Sequence, residues 1–307
     1  MTSRTSQRRS RTGKGASGKT PAARGKAAPS RRGKSSSRRN ATVAIGIVFL
    51  VAAVIIGVGV LRKPAAAPVT SGGDAAEAIG LVTSVPTSAL DGASVVSGIT
   101  PPAKLASGVP ALTQDGKPQV LYVGAEYCPY CAAQRWPLIV ALSRFGTFSG
   151  LGVTTSSATD AFPNTPSFTF HGSSYTSPYL VFTPVEQATN TGVSLDTLTP
   201  EQQALLQKYD APPYTSSAGA IPFLMIGNRY IQIGASYLPD ALAGKTQAEI
   251  ARELADPSAN PAAQKILGSA NVLTAAICQL TGGTPSSVCQ SPGVTRAAQA
   301  LPTQPPN

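Results

Sequence analysis

The chain has 307 residues, and its formal net charge of +11 is concentrated at one end. Residues 1–40 hold 13 Lys or Arg and no Asp or Glu, whereas 10 basic and 14 acidic residues follow residue 63. The residues after 63 therefore carry a net charge near −4 (10 basic minus 14 acidic residues), which excludes a polyanion-binding function for them. The length of this part suits one domain of roughly 195 residues with ample core.

The first predicted segment is residues 1–40, which combine basic residues with Ser, Thr, Gly, Ala, Pro, Gln and Asn and show no apolar period. Such a segment cannot bury enough apolar surface to offset chain entropy, so we expect a disordered tail. A basic tail also raises the question of nucleic-acid binding. It contains no aromatic residue that could stack on bases, and we interpret it as a cytoplasmic topology determinant without a nucleic-acid partner.

Residues 41–61 form an uncharged apolar run of 21 residues, which matches the thickness of a bilayer as one transmembrane helix. A cleaved signal peptide would have a shorter apolar core behind a shorter basic segment. The 13 basic residues before the run, against Arg62 and Lys63 after it, predict that the N-terminus is cytoplasmic. We therefore expect a single-pass signal anchor in the cell membrane, with the C-terminal part extracytoplasmic.

Two segments predict little regular structure. Residues 62–95 and 291–307 are rich in Ala, Pro, Gly, Ser and Thr, without a sustained period. We interpret the first as a linker and the second as a disordered tail. The folded domain is then expected at residues 96–290.

Within this domain, the apolar run Gln119–Gly124 follows the turn signal Asp115-Gly116 and predicts a buried strand. Apolar residues then recur at helical spacing from Trp136 to Phe145. The order is strand, tight turn, CPYC, helix, in which Pro137 should introduce a kink.

Further along, two apolar runs at Phe223–Ile226 and Tyr230–Ile233 are joined by Gly227-Asn228, which predicts a β-hairpin. Helical patterns follow at Thr246–Ala255 and Pro261–Leu280. The fold class indicated is α/β, a mixed sheet flanked by helices.

The four cysteines carry the chemistry. Cys128 and Cys131 could hold a metal, staple a loop or shuttle electrons. At the start of a helix, unpaired N–H groups and the helix dipole stabilise a thiolate, so we predict that Cys128 attacks and Cys131 resolves. An exported domain lies in an oxidising space, where such a pair acts as a redox centre.

Cys278 and Cys289 are 11 residues apart, near the end of an apolar helix and after Gly282-Gly283. We interpret them as a structural disulfide, with a second redox pair as the alternative. Zinc is disfavoured, because a four-cysteine site usually has two closely spaced pairs, and we predict no metal site.

These motifs resemble a known group. The stretches Val120–Cys131 and Ala220–Leu224 resemble, in the same order, the two motifs of thioredoxin-like proteins. The wider stretch from LTQDGKPQVLY to ALSRFG is similar to membrane-anchored thioredoxin-like proteins of actinobacteria and archaea, an uncharacterised family called domain of unknown function 929. The resemblance covers about residues 95–290. It implies a thioredoxin-like fold with a cis Pro222 facing the cysteines and with Ile221 pairing its backbone with the substrate chain.

The sequence also departs from that pattern. Thioredoxins carry a buried acid six residues before the first cysteine, where this chain has Tyr122, so Glu126 or water is the candidate for proton transfer. Ninety residues separate Cys131 from Pro222, and we predict a large insertion at about residues 157–217 beside the cysteines. The insertion holds His171, the one histidine of the chain, interpreted as a surface residue in preference to an acid–base group.

The function indicated is a membrane-tethered thiol–disulfide oxidoreductase without a cofactor. Its partners would be thiols or disulfides of exported proteins and a membrane redox protein that resets it. The alternative is a non-catalytic thioredoxin-fold binding or scaffold module.

Overall fold

The structure is a computed structural model that describes residues 72–306. The predicted basic tail at 1–40 and the predicted span at 41–61 lie outside the described residues. Among residues 72–306, no helix combines the length and the apolar character that a membrane crossing requires.

The described residues form a mixed α/β structure. Its strands are β1 Ala103–Lys104, β2 Thr113–Gln114, β3 Lys117–Gly124, β4 Thr147–Ser149, β5 Gly152–Thr155, β6 Pro166–Thr169, β7 Ser174–Thr176, β8 Val181–Glu186, β9 Phe223–Ile226 and β10 Tyr230–Ile233. Its helices are α1 Gly72–Thr83, α2 Thr87–Gly92, α3 Pro129–Ser143, α4 Pro200–Tyr209, α5 Gln247–Glu253, α6 Pro261–Leu280, α7 Ser286–Cys289 and α8 Pro292–Ala297. Two short 3₁₀ helices lie at Pro239–Leu242, before α5, and at Ala298–Ala300, after α8.

The main sheet is built around β3. Strand β8 pairs with β3 in parallel, after the crossover through α3, and β9 pairs antiparallel with the other side of β3. Strand β10 continues the antiparallel pairing, and β1 and β2 complete the sheet. Strands β4 with β7, and β5 with β6, form two separate two-stranded sheets.

Alternation along β3 produces two cores, one on each face of the sheet. Val120 and Tyr122 point into the larger core, which contains α3 and α6, while Leu121 and Val123 point into the smaller one. Helix α4 covers the smaller core through Tyr209 and its neighbours. Both faces are thus buried, and for this reason the central strands are continuously apolar.

Helix α3 is continuous although Pro137 lies inside it. Proline lacks the N–H that would bond the carbonyl four residues earlier, which is that of Ala133. The hydroxyl of Tyr237 donates to this carbonyl at 3.0 Å, and the hydroxyl of Ser167 donates to the carbonyl of Ala132, also at 3.0 Å. The Tyr237 hydroxyl therefore replaces the hydrogen bond that the proline removes, and the Ser167 hydroxyl adds a second contact at the neighbouring carbonyl.

The predicted hairpin is confirmed, since β9 and β10 have the predicted bounds. Gly227 and Asn228 have φ values of 59° and 54°, the left-handed conformation that a tight two-residue turn requires. The predicted helix at Pro261–Leu280 also has the predicted bounds.

The predicted linker is wrong over its described part. Residues Gly72–Thr83 and Thr87–Gly92 are helical, and Ala78 and Val82, four residues apart, are fully buried. Helix α1 contacts α5, where Glu77 forms an ion pair with Arg252. The apolar positions that face the domain are too few to form a sustained period, and the small residues around them resemble a linker.

The predicted disordered C-terminal tail is also wrong. It contains α8, Pro292–Ala297, and buries Val294, Ala297 and Leu301 against the larger core. The backbone N–H of Gly293 donates to the carboxylate of Asp91 at 3.0 Å, which ties this end of the domain to α2.

The predicted insertion at 157–217 contains both a strand of the main sheet and additional small strands. Strand β8, within that range, is a member of the main sheet and completes the parallel pair with β3. The additional structure between α3 and β8 is the set of small strands β4 to β7, which begins before residue 157. The prediction of one continuous insertion does not separate these small strands from β8 of the main sheet.

Candidate functional site

The candidate site lies at the carboxyl end of β3, where the chain turns into α3. Cys128 is the N-cap residue of α3, with φ −78° and ψ 120°, and its sulfur accepts a hydrogen bond from the backbone N–H of Cys131 at 3.3 Å. Pro129 follows at the first helical position, where a missing N–H has no cost. The helix terminus therefore directs an N–H group at Cys128, as predicted from the CxxC spacing.

The two thiols differ in their surroundings. Both cysteines are free; Cys128 is 6% exposed and Cys131 is fully buried. A hydrogen bond from the Cys131 thiol lowers the pKa of Cys128, helped by the backbone N–H of Cys131 and by the charge of Arg135, against an opposing effect of burial. Burial first, and then the interaction with Cys128, raises the pKa of Cys131 well above its ordinary value.

The second motif meets the first at Cys128. The Ile221–Pro222 peptide bond is cis, and the Cys128 thiol lies 3.6 Å from the carbonyl oxygen of Ile221, to which it donates. Pro222 directly precedes β9, and β9 neighbours β3, so the sheet brings the two segments together. The Ile221–Pro222 segment implied by the resemblance thus lies beside the thiol of Cys128.

A buried ion pair lies on the sheet side of the cysteines. Arg135 and Glu186 are both fully buried, and the Nε and Nη2 atoms of Arg135 each donate to a carboxylate oxygen of Glu186 at 2.7 Å. The Arg135 guanidinium carbon lies 5.8 Å from the ring centroid of Tyr122. Tyr122 is itself fully buried, its hydroxyl has no hydrogen-bond partner among the described residues, and burial raises its pKa well above the ordinary value.

Two exposed tyrosines flank Cys128. Tyr127 and Tyr130 are each 38% exposed, and the ring of Tyr130 packs edge-on against Phe162 with centroids 5.8 Å apart. Beside Tyr127 is an open cavity of about 520 Å³ lined by residues 157–160 and 190–192. The extra segments around the cysteines therefore shape the surface next to the site.

The candidate residues Glu126 and His171 each contact another polar side chain. Glu126 is partly exposed and accepts a hydrogen bond from the Thr154 hydroxyl at 3.2 Å. His171 is exposed, and its Nδ1 lies 2.8 Å from Oδ1 of Asp196. Sequence reasoning missed Glu186, whose carboxylate is fully buried and paired with Arg135.

A disulfide joins Cys278 at the end of α6 to Cys289 in α7, with the Cα atoms 5.6 Å apart. This is the pairing predicted from the sequence. The disulfide lies in a different part of the domain from Cys128 and Cys131, which remain free to react with each other or with a partner.

The arrangement can perform one kind of chemistry without further groups. A thiol of lowered pKa at a helix N-terminus supplies a nucleophile, and a buried thiol one turn later can displace it from a mixed disulfide. These are the two features that thiol–disulfide exchange requires.

A family model described as Domain of unknown function (DUF929) matches residues 107–279, more than half of the chain. No curated protein and no solved structure matches it.

Proposed function

The chain belongs to the family of domain of unknown function 929, a description that assigns no activity, and we propose from its own residues that it is a thiol–disulfide oxidoreductase of thioredoxin-like fold. The single observation that carries the proposal is the placement of Cys128: an N-capping thiol of lowered pKa, next to a buried thiol of raised pKa and opposite the Ile221 carbonyl.

The topology supports the thioredoxin-like part of the proposal. The strand order β8-β3-β9-β10, with β8 parallel and β9 antiparallel to β3, is the order that such a fold requires. Helices α3 and α6 pack on one face of this sheet, and α4 packs on the other. The small strands β4 to β7, and helices α1, α2 and α8, would be additions to that core.

The chemistry follows from the two thiol environments. When the pair is oxidised, a substrate thiolate attacks the Cys128 sulfur, the Cys128–Cys131 bond breaks, and Cys131 leaves as a thiolate. A second substrate thiolate then attacks the substrate sulfur of the mixed disulfide, and Cys128 leaves. The substrate loses two electrons and the enzyme gains them; in the reverse direction Cys128 attacks a substrate disulfide and Cys131 resolves it.

The location belongs to the same proposal. The apolar run at 41–61 and the 13 basic residues before it support a membrane anchor with the redox domain outside. The Cys278–Cys289 disulfide supports an oxidising compartment, because disulfides persist there and are rare in reducing ones. The partners would then be exported proteins with free thiols or disulfides, and a membrane redox protein that resets the enzyme. The sulfur atoms themselves carry the electrons, so no cofactor is invoked.

Mixed-disulfide trapping tests the proposal. In the full-length chain, Cys131→Ser should accumulate mixed disulfides with exported proteins through Cys128, because the attacking step survives and the resolving step is lost. Cys128→Ser is the matched control and should accumulate several-fold fewer, since its remaining thiol is fully buried. The complexes are counted on non-reducing gels after acid quenching.

Two results would reject the oxidoreductase proposal. One is equal trapping by both variants, and the other is a Cys128 that alkylates at pH 6 to 7 no faster than an ordinary thiol of pKa about 8.5. Either result favours the non-catalytic binding module, in which the cysteine pair is inert.

A further inference from the structure

The stability of the fold does not explain why Arg135 and Glu186 form a buried ion pair. Desolvating two charges costs about as much as their attraction returns, and a well-packed apolar pair is often as stable or more stable. Both side chains are nevertheless fully buried, with two hydrogen bonds of 2.7 Å between them. The position of this pair relative to the cysteines supplies another reason.

Arg135 lies four residues after Cys131 on α3, so the two residues occupy the same face of the helix one turn apart. Glu186 is the last residue of β8 and is paired with Gly124, just before the turn that carries Cys128. The charge of Arg135 acts on both thiols, and the carboxylate of Glu186 reaches Arg135 from the neighbouring strand. In a buried site such charges are weakly screened.

We propose that Arg135 and Glu186 are positioning residues with opposite effects on the thiols: Arg135 stabilises the thiolates of Cys128 and Cys131, and Glu186 limits that stabilisation. The pair would therefore set how strongly the reduced form is favoured, and with it the direction of electron flow. The proposal rests on the proposed oxidoreductase function and adds to it the groups that tune the site.

The ion pair acts at the step in which Cys131 leaves as a thiolate. When a substrate thiolate attacks Cys128, the bond between the two sulfurs breaks and its electron pair leaves with Cys131, which is fully buried. An anion in that position is unfavourable unless a cation compensates it, and the charge of Arg135 lowers the pKa of Cys131 against the larger effect of burial. The carboxylate of Glu186 keeps the site nearly neutral while both thiols are protonated.

The other titratable groups around the cysteines do not take this role. Tyr122 from β3 and Tyr127 from the turn have raised pKa values, mainly through burial, so both phenols are neutral near pH 7. Glu126 lies on the same turn, but its carboxylate accepts from Thr154 and is partly exposed to water. Arg135 and Glu186 are the fully buried charges of the site.

The test compares Arg135→Met and Glu186→Gln in the full-length chain. After reduction of the Cys128–Cys131 pair, the rate of iodoacetamide alkylation of Cys128 is measured by peptide mass spectrometry from pH 5 to 9. Without the cation, Arg135→Met should move the pH profile to higher pH and slow alkylation at pH 6. Glu186→Gln removes the anion and should move the profile to lower pH and accelerate alkylation. Arg135 lies seven residues, about two helical turns, after Cys128, and a weakly screened charge on the order of 10 Å away should change the rate roughly tenfold in the direction given for each variant.

Equilibration with glutathione gives a second readout with the same signs. Glu186→Gln should favour the reduced enzyme and make it a stronger oxidant, whereas Arg135→Met should make it a weaker one. Arg144→Met is the matched control, because Arg144 lies at the end of the same helix and is also largely buried, but contacts Asn271 and Ser291. It should leave the profile of Cys128 unchanged.

A purely structural role would destabilise both variants without opposite shifts. Shifts of the same sign in Arg135→Met and Glu186→Gln, or no shift in either, would overturn the proposal. If Arg135→Met fails to fold, the double variant Arg135→Met/Glu186→Gln replaces it, since it contains no unpaired buried charge; Glu186→Gln must then alkylate faster than the double variant. Opposite shifts without mixed-disulfide trapping would reject the oxidoreductase function and leave this electrostatic assignment in place.

Discussion

Removing the Cys278–Cys289 disulfide should lower the stability of the domain and leave the proposed thiol–disulfide exchange at Cys128 and Cys131 intact. The two cysteines are 11 residues apart, and closing a loop of this size in the unfolded chain is worth about 3 kcal/mol in the chain-entropy model. For a domain of this size, such a loss corresponds to a decrease in Tm of about 6 to 12 °C. The double variant Cys278→Ser/Cys289→Ser should therefore unfold at a clearly lower urea concentration than its parent.

The assay uses a Cys128→Ser background, so that the redox pair cannot contribute to the difference. Urea unfolding is followed with and without a reductant strong enough to open the remaining disulfide. The parent should lose about 3 kcal/mol on reduction, and the double variant should not change. In a parallel Cys131→Ser background, removal of Cys278 and Cys289 should leave mixed-disulfide trapping at low temperature unchanged.

Two results would refute this reasoning. The first is a double variant that unfolds within about 0.5 kcal/mol of its oxidised parent, a difference typical of surface substitutions. The second is mass mapping that finds Cys278 disulfide-bonded to Cys128 or Cys131, because Cys278 would then take part in the thiol–disulfide exchange.

Three further predictions concern the site and its location. Gly124→Ala should destabilise the domain by about 1 to 3 kcal/mol in urea unfolding, because a new Cβ would collide with the buried ring of Tyr122; Gly80→Ala, with open space around it in α1, should instead stabilise it by about 0.5 to 1 kcal/mol. Tyr237→Phe leaves the Ala133 carbonyl without its hydroxyl donor and should cost about 1 to 3 kcal/mol by the same measurement; no loss would mean that another group satisfies this carbonyl. Protease added to intact cells or spheroplasts should digest the redox domain, and protection of that domain with cleavage of the basic tail would contradict the proposed topology.

Local patterns predicted the elements that hold the cysteines and the cis-proline motif. Gly227-Asn228 between two apolar runs predicted the β9–β10 hairpin, since few residue pairs accept two consecutive left-handed conformations. The CxxC after a strand predicted that Cys128 lies at a helix N-terminus, which the structure has. In both cases the information is contained within a few consecutive residues.

The parts that escaped prediction depend on contacts between distant segments. Arg135 and Glu186 are 51 residues apart, and only the parallel pairing of β3 with β8 brings them together. A single arginine in an apolar helical run was a visible signal, because it requires a partner when buried. Helix α1 was missed for a related reason. Its small residues are typical of a linker, and its contacts with α5, α3 and β5 are what bury Ala78 and Val82.

The donors that reach α3 around Pro137 also affect how the domain can fluctuate. Ser167 and Tyr237 are 35 and 104 residues away from the carbonyls they satisfy, so α3 cannot loosen without breaking contacts to two remote segments. Elements tied in this way open together with the global unfolding transition, whereas weakly connected loops open alone. The amide protons of α3 should consequently be among the slowest of the domain to exchange with deuterium. In the proposed exchange at Cys128, the substrate chain would then have to adjust its conformation, and the helix that carries the thiols would not.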